Sequence, residues 1–256
     1  MSTNYKLDGD VAVITLDRPD QFNAINLSLS TDLVDAMGQA GSEARAAVIT
    51  GSGRAFCAGA DLGMLDETSD LGMLLDDVFH PALQAILSCS VPVVGAINGV
   101  AAGAGLGLAL ACDVRVMAQS AFLTSAFTAI GLAPDSGTTW WLPHHVGVSR
   151  ALELAFTNRR VSAEEARDLG LCTQVVPDDE VLDTAFRLAE TFTDMVPDSL
   201  VTTRRLIRDA AGSSFEHAIA AEREEQARLG ATPEHQEGVR AFKEKRKPDF
   251  RVASSK

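Results

Sequence analysis

Gly51-Ser-Gly-Arg-Ala-Phe-Cys-Ala-Gly-Ala-Asp61 and Asn98-Gly-Val-Ala-Ala-Gly-Ala-Gly-Leu-Gly107 are two glycine-rich stretches, and each directly follows an apolar, strand-like run. Small residues leave backbone N–H groups unshielded, and the first turn of a helix has no internal acceptors for them. Two such turns that face each other can bind an anion or stabilise a developing oxyanion. Tight packing alone is the alternative explanation of either stretch. Neither contains the G-x-G-x-x-G pattern or a Walker lysine, so a dinucleotide or P-loop site is not favoured.

Strand-like and helical segments alternate through the first half of the chain, which indicates an α/β fold. The predicted strands are Val11–Leu16, Ala46–Thr50, Val93–Ile97 and Val114–Met117. The helices predicted between them are Leu27–Gln39, Leu71–Ser88 and Gly103–Ala111. The second half is predicted to be helical, with its longer helices at Asp179–Met195, Ser199–Ala211 and Ser214–Leu229.

Ser162-Ala-Glu-Glu165 has the spacing of a capping box, in which Ser162 accepts an early helix N–H and Glu165 reaches back to the cap. Gly170 is the predicted C-cap of that short helix. The basic tail from Glu237 to Phe250 is either a solvated helix end or a source of positive charge for a ligand.

The chain has 256 residues and a net charge of −13, which disfavours nucleic-acid binding. Its four widely spaced cysteines form no C-x-x-C pair, and the first residues include no apolar signal region, so we expect a reduced, cytoplasmic protein. No cysteine and histidine group has zinc spacing, and we expect no metal site. The stretch Val91–Ala111 is long enough for a membrane span, but Pro92, Asn98 and its glycine density favour a buried strand and helix instead.

Several motifs together resemble the crotonase (enoyl-CoA hydratase/isomerase) superfamily. The two main matches are Phe56-Cys-Ala-Gly-Ala-Asp-Leu62 and Pro92-Val-Val-Gly-Ala-Ile-Asn-Gly99. Further matches, in the family's order, are Leu16–Pro19, Asn23–Asn26, Leu132–Gly137, Ser162–Leu171 and Ala241–Arg246. The resemblance implies a crotonase-like spiral of ββα units over residues 1–195. A C-terminal helical trimerisation region would follow over residues 196–256, giving a homotrimer or a hexamer.

The resemblance also implies where an acyl-CoA thioester binds. An oxyanion hole would be formed by the backbone N–H groups of Ala60 and Ala104. The residues implied to contact coenzyme A are Phe22, Ala24, Ala58, Gly59, Asp61 and Lys245. Coenzyme A is part of the substrate, so no separate cofactor is expected.

Two departures from the family bear on the reaction. Hydratases of the family use two glutamates to add water across the α,β-double bond, and the matching positions here are Gly107 and Phe127. Neither side chain can transfer a proton, so ordinary hydratase chemistry is not expected. Phe122, Phe127 and Trp140 are instead predicted to form the apolar wall of an acyl pocket, and such a wall would raise the pKa of a nearby carboxyl group. Ordinary core packing is the alternative explanation of Phe122 and Phe127.

Asp135 is the candidate catalytic acid/base. Ile130-Gly-Leu-Ala-Pro-Asp-Ser-Gly137 resembles the corresponding segment of the family's phenylacetate-pathway isomerases, in which this aspartate moves the proton. Thr138 departs from that motif, where a second glycine is usual. An aspartate before Ser-Gly is also good turn chemistry, so the alternative is that Asp135 serves only as a turn or cap residue; Ser136 is assigned a turn role.

The sequence therefore predicts an acyl-CoA isomerase that shifts a double bond or rearranges a conjugated ring thioester. One carboxylate suffices for a 1,3-proton shift when two N–H groups stabilise the enolate oxygen. The alternatives are an enoyl-CoA hydratase with substituted catalytic groups and a non-catalytic acyl-CoA binding protein.

Overall fold

The first sheet of the fold is built from the apolar runs of the sequence. The computed structural model describes residues 1–64 and 70–251. Six strands form this sheet: Thr3–Asp8 (β1), Val11–Leu16 (β2), Ala46–Gly51 (β3), Val93–Ile97 (β5), Val114–Ala118 (β7) and Gln174–Val176 (β10). They lie side by side in the order β1-β2-β3-β5-β7-β10, and within this sheet only the β1–β2 hairpin is antiparallel. All six residues of β3 are buried, and burial on both faces explains why these runs are continuously apolar.

A second sheet consists of Ala55–Cys57 (β4), Val100–Ala102 (β6), Phe122–Thr124 (β8) and Val161–Ser162 (β9). These strands lie in the order β4-β6-β8-β9. Strands β3, β5 and β7 belong to the first sheet, and the strand that follows each of them along the chain belongs to the second. The chain thus winds as a spiral in which each turn adds one strand to both sheets. This confirms the predicted crotonase-like arrangement of ββα units.

The helices lie between these strands and after them along the chain. Those that precede β9 are α1 (Leu27–Glu43), α2 (Leu71–Leu74), α3 (His80–Leu87), α4 (Ala104–Ala111), α5 (Thr138–Val146) and α6 (Val148–Thr157). Those that follow it are α7 (Ala163–Asp168), α8 (Val181–Thr193), α9 (Pro197–Ala210), α10 (Phe215–Gly230) and α11 (Pro233–Glu244). The chain divides into two compact units, Met1–Glu190 and Thr191–Lys256.

The predicted helical stretch Leu71–Ser88 is helical from Leu71 to Leu87, although not as one regular α-helix. A π-helical turn, Leu75–Phe79, separates α2 from α3. Pro81 explains the interruption, because it has no N–H and its ring crowds the carbonyl of the residue four positions earlier.

The apolar stretch Val91–Ala111 is divided between β5, β6 and α4. No helix among residues 1–64 and 70–251 is long and apolar enough to cross a bilayer.

The capping box at the start of α7 is only half formed. The Ser162 hydroxyl accepts the backbone N–H of Glu165 at 3.3 Å, as predicted. The Glu165 carboxylate does not reach back to the cap, because it pairs with the Arg159 guanidinium at 2.7 Å. A charged partner forms a stronger hydrogen bond than a backbone N–H, so the ion pair wins. Gly170, with φ of +74°, follows the end of α7 in the left-handed conformation expected of a C-cap glycine.

In the C-terminal unit, the basic tail is more than a solvated helix end. Glu237 is 8% exposed, and its carboxylate accepts two hydrogen bonds from Arg246, at 2.6 and 3.1 Å. It also accepts the backbone N–H of Asp249 at 3.1 Å. The side-chain hydrogen bond from Arg246 is the main reason that the pKa of Glu237 falls to about 2. The tail is therefore tied to α11 by a charge-assisted hydrogen-bond cluster.

Asn23 joins the loop after β2 to the segment between β3 and β4. It is fully buried with φ of +57°, a conformation that asparagine tolerates better than most residues. Its side-chain nitrogen donates to the carbonyls of Ser52 and Ala55, at 3.0 and 2.8 Å. Its side-chain oxygen accepts the N–H of Arg18 at 2.9 Å. One side chain thus satisfies three backbone groups that have little access to water.

Replacing Asn23 by alanine should lower the free energy of unfolding by about 2–4 kcal/mol, because it removes the three hydrogen bonds of this buried side chain. Among the described residues, only the Ala55 carbonyl keeps a second donor, Asn98, at 3.3 Å. Denaturant unfolding at one fixed protein concentration measures this. Asn4→Ala is the matched control, because Asn4 makes a single exposed hydrogen bond to Asp17. Equal unfolding midpoints for the two variants would contradict the proposed role of Asn23.

Candidate active site

The centre of the site is the contact between the turn after β4 and the start of α4. Gly59 has φ of +96°, and a Cβ atom added to it would lie 2.7 Å from the Ala102 carbonyl oxygen. The same atom would lie 3.4 Å from the Ala104 nitrogen. Only glycine fits this conformation and this spacing. The first sequence motif is therefore in direct contact with the second, as the oxyanion-hole hypothesis requires.

The N–H groups of Ala60 and Ala104 are both available at this contact. Ala104 is the first residue of α4, where an N–H has no acceptor within the helix. On either side of Ala60, the Gly59 carbonyl and the Asp61 N–H form hydrogen bonds with Ile25, at 2.7 and 2.9 Å. Within residues 1–64 and 70–251, neither the Ala60 N–H nor the Ala104 N–H donates to a protein acceptor. Two free N–H donors are what an oxyanion needs.

The segments predicted to hold coenzyme A lie against each other. The Ala58 N–H donates to the Phe22 carbonyl at 3.0 Å, and the backbone of Ile25 continues the pairing along the turn after β4. Phe22 and Asn23 both have positive φ, so the chain bends sharply here and leaves the Phe22 ring 36% exposed. Phe22, Ala24, Ala58, Gly59 and Asp61 therefore lie close together in the fold, with Ala24 and Gly59 buried and the other three at the surface of this region. Lys245 belongs to the C-terminal unit, where it ends α11 with φ of +56°.

Two arginines that the sequence analysis left without a role lie on this surface. Arg18 donates to the Ala24 carbonyl at 2.5 Å and forms a 2.7 Å salt bridge with Asp61. This side-chain hydrogen bond is the main cause that lowers the pKa of Asp61, so the carboxylate serves to hold the surface together. The Arg54 guanidinium lies 4.4 Å from the centre of the Phe22 ring. Both lie within stretches already singled out, Arg18 in the matched Leu16–Pro19 motif and Arg54 in the glycine-rich stretch Gly51–Asp61, but nothing in either pattern assigns the arginine a role.

Asp135 lies in a tight turn that leads into α5. Ser136 and Gly137 both have positive φ, and the Thr138 N–H donates to the Asp135 carbonyl at 2.9 Å. The Ser136 hydroxyl donates to Asp135 Oδ1 at 2.7 Å, so Ser136 does more than shape the turn. Burial raises the pKa of the half-buried Asp135 carboxyl, and the hydrogen bond from Ser136 and the charge of His80 oppose this rise.

This turn packs against α4 at Gly107, one helical turn after Ala104, the predicted oxyanion donor. A Cβ atom at position 107 would lie 2.3 Å from the Ser136 carbonyl oxygen and 2.9 Å from the Ser136 Cβ. Any larger residue would displace the turn that carries Asp135. Ser136 therefore takes the space that a side chain at position 107 would need. Hydratases of the family that this chain resembles have a glutamate at this position.

The three predicted pocket residues have different surroundings. Phe127 is 6% exposed, and its ring atom Cζ lies 3.9 Å from a Cβ added at Gly103, beside the start of α4. Phe122 packs its ring under the Arg160 guanidinium at 4.3 Å. Trp140 is 39% exposed and stacks on His144, with ring centres 4.0 Å apart. Phe127 thus lies next to the oxyanion turn, and the pocket roles of Phe122 and Trp140 stay predictions.

Three polar side chains near this centre were missed by the sequence analysis. The hydroxyls of Ser125 and Thr138 are buried, and within the described residues they have no hydrogen-bond partner. Buried hydroxyls without a partner are unusual and are often met at sites that hold water or substrate. His80 is the third, and its charge acts on Asp135. Thr138 stands out in the sequence only as a departure from the isomerase segment, and no motif or spacing marks Ser125 or His80 as functional.

Comparison with known proteins supports the assignment that these motifs and this geometry suggest. Residues 6–253 match the model of the enoyl-CoA hydratase/isomerase family. A protein of Rhodobacter capsulatus named "probable enoyl-CoA hydratase" is 43% identical over 96% of each chain. The "1,2-epoxyphenylacetyl-CoA isomerase" of Escherichia coli is 37% identical over 94% of each chain.

The fold has close counterparts among solved structures. A crystal structure of an enoyl-CoA hydratase subunit from Geobacillus kaustophilus superposes with a TM-score of 0.92. It is 32% identical to this chain and covers 98% of both. The match therefore extends over both sheets and the C-terminal helices. The chain belongs to the enoyl-CoA hydratase/isomerase family of the crotonase superfamily.

Proposed function

We propose that this protein is an acyl-CoA isomerase that moves a proton between two carbons of a thioester-activated acyl group, with Asp135 as the acid/base. The observation that carries the proposal is the contact between Gly107 and Ser136. Ser136 takes the space that a side chain at position 107 would need, and the residue before it, Asp135, carries a half-buried carboxyl group. The second glutamate position is Phe127, which cannot transfer a proton.

The reaction would proceed in two proton transfers. The Asp135 carboxylate removes a proton that the thioester acidifies, and negative charge develops on the thioester oxygen. The N–H groups of Ala60 and Ala104 stabilise that oxygen, and one such donor contributes roughly 10²–10³ in rate. The protonated Asp135 then returns the proton to another carbon of the conjugated system. No cofactor is needed, because coenzyme A arrives as part of the substrate.

The surroundings of Asp135 suit both halves of this cycle. A carboxyl group of ordinary acidity is a weak base and rarely carries a proton near neutral pH. Burial raises the pKa of Asp135, which makes it a better base and lets it hold the proton between the two steps.

Two rival functions are separated from this proposal by experiment. The name of the Rhodobacter capsulatus relative favours hydration, whereas that of the Escherichia coli relative favours isomerisation. The third possibility is a non-catalytic acyl-CoA binding protein. Turnover of a panel of 3-enoyl, 2-enoyl and ring-CoA thioesters distinguishes all three. We expect rapid isomerisation and very slow hydration of crotonyl-CoA.

Asp135→Asn preserves size but removes the proton acceptor, so turnover of a 3-enoyl-CoA should fall by about 10²–10⁴. Affinity for the thioester should barely change, because the oxyanion N–H groups remain. In the parent protein, kcat/KM should rise with pH through a pKa above the ordinary aspartate range, since only the carboxylate can accept the proton.

Asp179→Asn, an equal change at an exposed aspartate, is the control for this variant. Parent-like turnover by Asp135→Asn would refute the catalytic role of Asp135. If the parent turned over no thioester of the panel but bound one tightly, the binding-protein alternative would replace the proposal.

Gly107→Glu should not create a hydratase. It should lower the free energy of unfolding by about 2–4 kcal/mol, because the new side chain collides with Ser136. Gly38→Glu is the matched control, since Gly38 also lies in a helix, α1, and a Cβ atom added to it would meet nothing within 4 Å beyond that helix. Efficient hydration of crotonyl-CoA by a stable Gly107→Glu variant would show that the turn does not exclude the glutamate.

We further propose that the protein forms trimers or hexamers through its C-terminal unit. Large apolar side chains are exposed there, among them Ile207, Phe215 and Phe242, the last at 85%. Exposed apolar side chains of this size are typical of subunit contacts. Light scattering at micromolar concentration should give three or six times the mass of one chain. A mass equal to one chain would rule this assembly out.

A further inference from the structure

Arg54 lies in a short segment whose backbone is held on both sides. The Asn98 side chain donates to the Gly53 carbonyl at 3.1 Å and to the Ala55 carbonyl at 3.3 Å. The Arg54 carbonyl oxygen would lie 2.2 Å from a Cβ atom added at Gly99, so it packs tightly against the turn between β5 and β6. The backbone of Arg54 therefore has little freedom, and the fold sets the point from which its side chain leaves the chain.

The Arg54 side chain is exposed and rests on an aromatic ring. Its guanidinium carbon lies over the Phe22 ring, 4.4 Å from the ring centre. Phe22 is itself 36% exposed, so the stacked pair lies at the surface of the protein. A stacked guanidinium contacts the ring through its flat face, and the N–H donors at its edge remain available for another partner.

No acidic side chain neutralises Arg54. Within residues 1–64 and 70–251, its guanidinium forms neither an ion pair nor a hydrogen bond. Arg18, the other arginine of this surface, is already paired with Asp61 at 2.7 Å. Further basic residues of the N-terminal unit that have an acidic partner are Lys6, Arg150, Arg159 and Arg167. In a chain with a net charge of −13, an uncompensated cation at this surface would attract an anionic ligand.

We propose that Arg54, held in position by the Phe22 ring, binds a phosphate group of the coenzyme A nucleotide. The inference rests on the acyl-CoA binding that the proposed function requires and deepens it, since Arg54 is not among the residues that the family resemblance implies to contact coenzyme A. Arginine presents a planar fork of donors that matches two phosphate oxygens. A fork that already rests on a ring loses little side-chain entropy when the phosphate binds.

Arg160 offers a matched comparison in the same unit. It is also exposed, its guanidinium carbon lies 4.3 Å from the centre of the Phe122 ring, and among the described residues it has no acidic partner. Arg54 directly precedes β4 and Arg160 directly precedes β9, and these strands form the two opposite edges of the second sheet. The two arginines therefore share their exposure and their stacking, and they differ in position.

The test is the affinity of the full-length protein for coenzyme A, measured by titration calorimetry. Arg54→Gln should weaken this affinity by about tenfold, the effect expected when one hydrogen-bonded contact between charged groups is lost. Arg54→Lys should keep part of the affinity, because lysine retains the charge but not the planar fork. Arg160→Gln should bind coenzyme A as tightly as the parent. Added salt should weaken binding by the parent more than binding by Arg54→Gln, which lacks the attraction that salt screens.

Two fragments of coenzyme A identify the phosphate. Pantetheine has no phosphate, so the parent and Arg54→Gln should bind it equally, as measured by competition with coenzyme A. Dephospho-coenzyme A lacks the phosphate of the ribose and keeps the pyrophosphate. Equal affinity of the parent and Arg54→Gln for this fragment assigns Arg54 to the ribose phosphate. A remaining difference of about tenfold assigns it to the pyrophosphate.

Parent-like affinity of Arg54→Gln for coenzyme A overturns the inference, and so does an equal loss for pantetheine or an equal loss in Arg160→Gln. Denaturant midpoints equal to that of the parent check that these variants, which change exposed side chains, are folded.

The role of Asp135 is tested separately, because binding of coenzyme A requires no proton transfer. Asp135→Asn should bind coenzyme A as the parent does. If Asp135→Asn keeps parent-like turnover while Arg54→Gln loses affinity, only the proposed role of Asp135 fails. A parent protein that binds no coenzyme A overturns both proposals.

Discussion

The close approach of two backbones, at the end of β4 and the start of α4, is the constraint on which the active site depends. A Cβ atom at Gly105 would lie 2.1 Å from the Cys57 carbonyl oxygen, so the helix touches the strand with no side chain between them. Such an approach is possible only at glycine. It brings the N–H groups of Ala60 and Ala104 to one place and leaves both free. Every chemical role proposed for the site assumes that these two donors are in position.

The two sheets produce this approach through their connectivity. Parallel pairing of β3 with β5, and of β4 with β6, carries the two glycine-rich stretches in the same direction and to the same edge. Asn23 then ties the loop after β2 to the same region through its buried hydrogen bonds. The connectivity of the spiral therefore determines that the two glycine-rich stretches come into contact. The residues at the turns determine which chemical groups are available at that contact.

Much of the fold, and part of the candidate site, could be predicted from the sequence, because the patterns that decide them are local. Val11–Leu16 and Val93–Ile97 are strands with the predicted bounds, since continuous apolar runs are typical of strands buried on both faces. The glycine-rich turns indicated an anion or oxyanion site before any family resemblance was considered. That resemblance then supplied Ala60, Ala104 and Asp135, which no spacing rule would have selected.

The remaining features depend on contacts between distant residues. The ion pair of Glu165 with Arg159 replaces half of a capping box that was correct in its local pattern. To predict the π turn, one would have to weigh Pro81 against an otherwise good helical sequence. The turn also accepts a hydrogen bond from Ser30, some fifty residues earlier in the chain. The stacking of Arg54 on Phe22 arises only when the loop after β2 and the segment before β4 are packed together. None of these three leaves a recognisable pattern of its own in the sequence.

The contact between Gly107 and Ser136 also limits how this scaffold can change over evolution. A glutamate at position 107 and the present Asp135–Ser136 turn exclude each other, so a single substitution cannot exchange the proposed Asp135 base for a hydratase glutamate. The turn would have to move first. A protein with a displaced turn and no glutamate would have neither the hydratase glutamate nor Asp135 in its present place. Substitutions at positions 107 and 136 should therefore be strongly interdependent, and lineages with the two kinds of chemistry should diverge early and interconvert rarely.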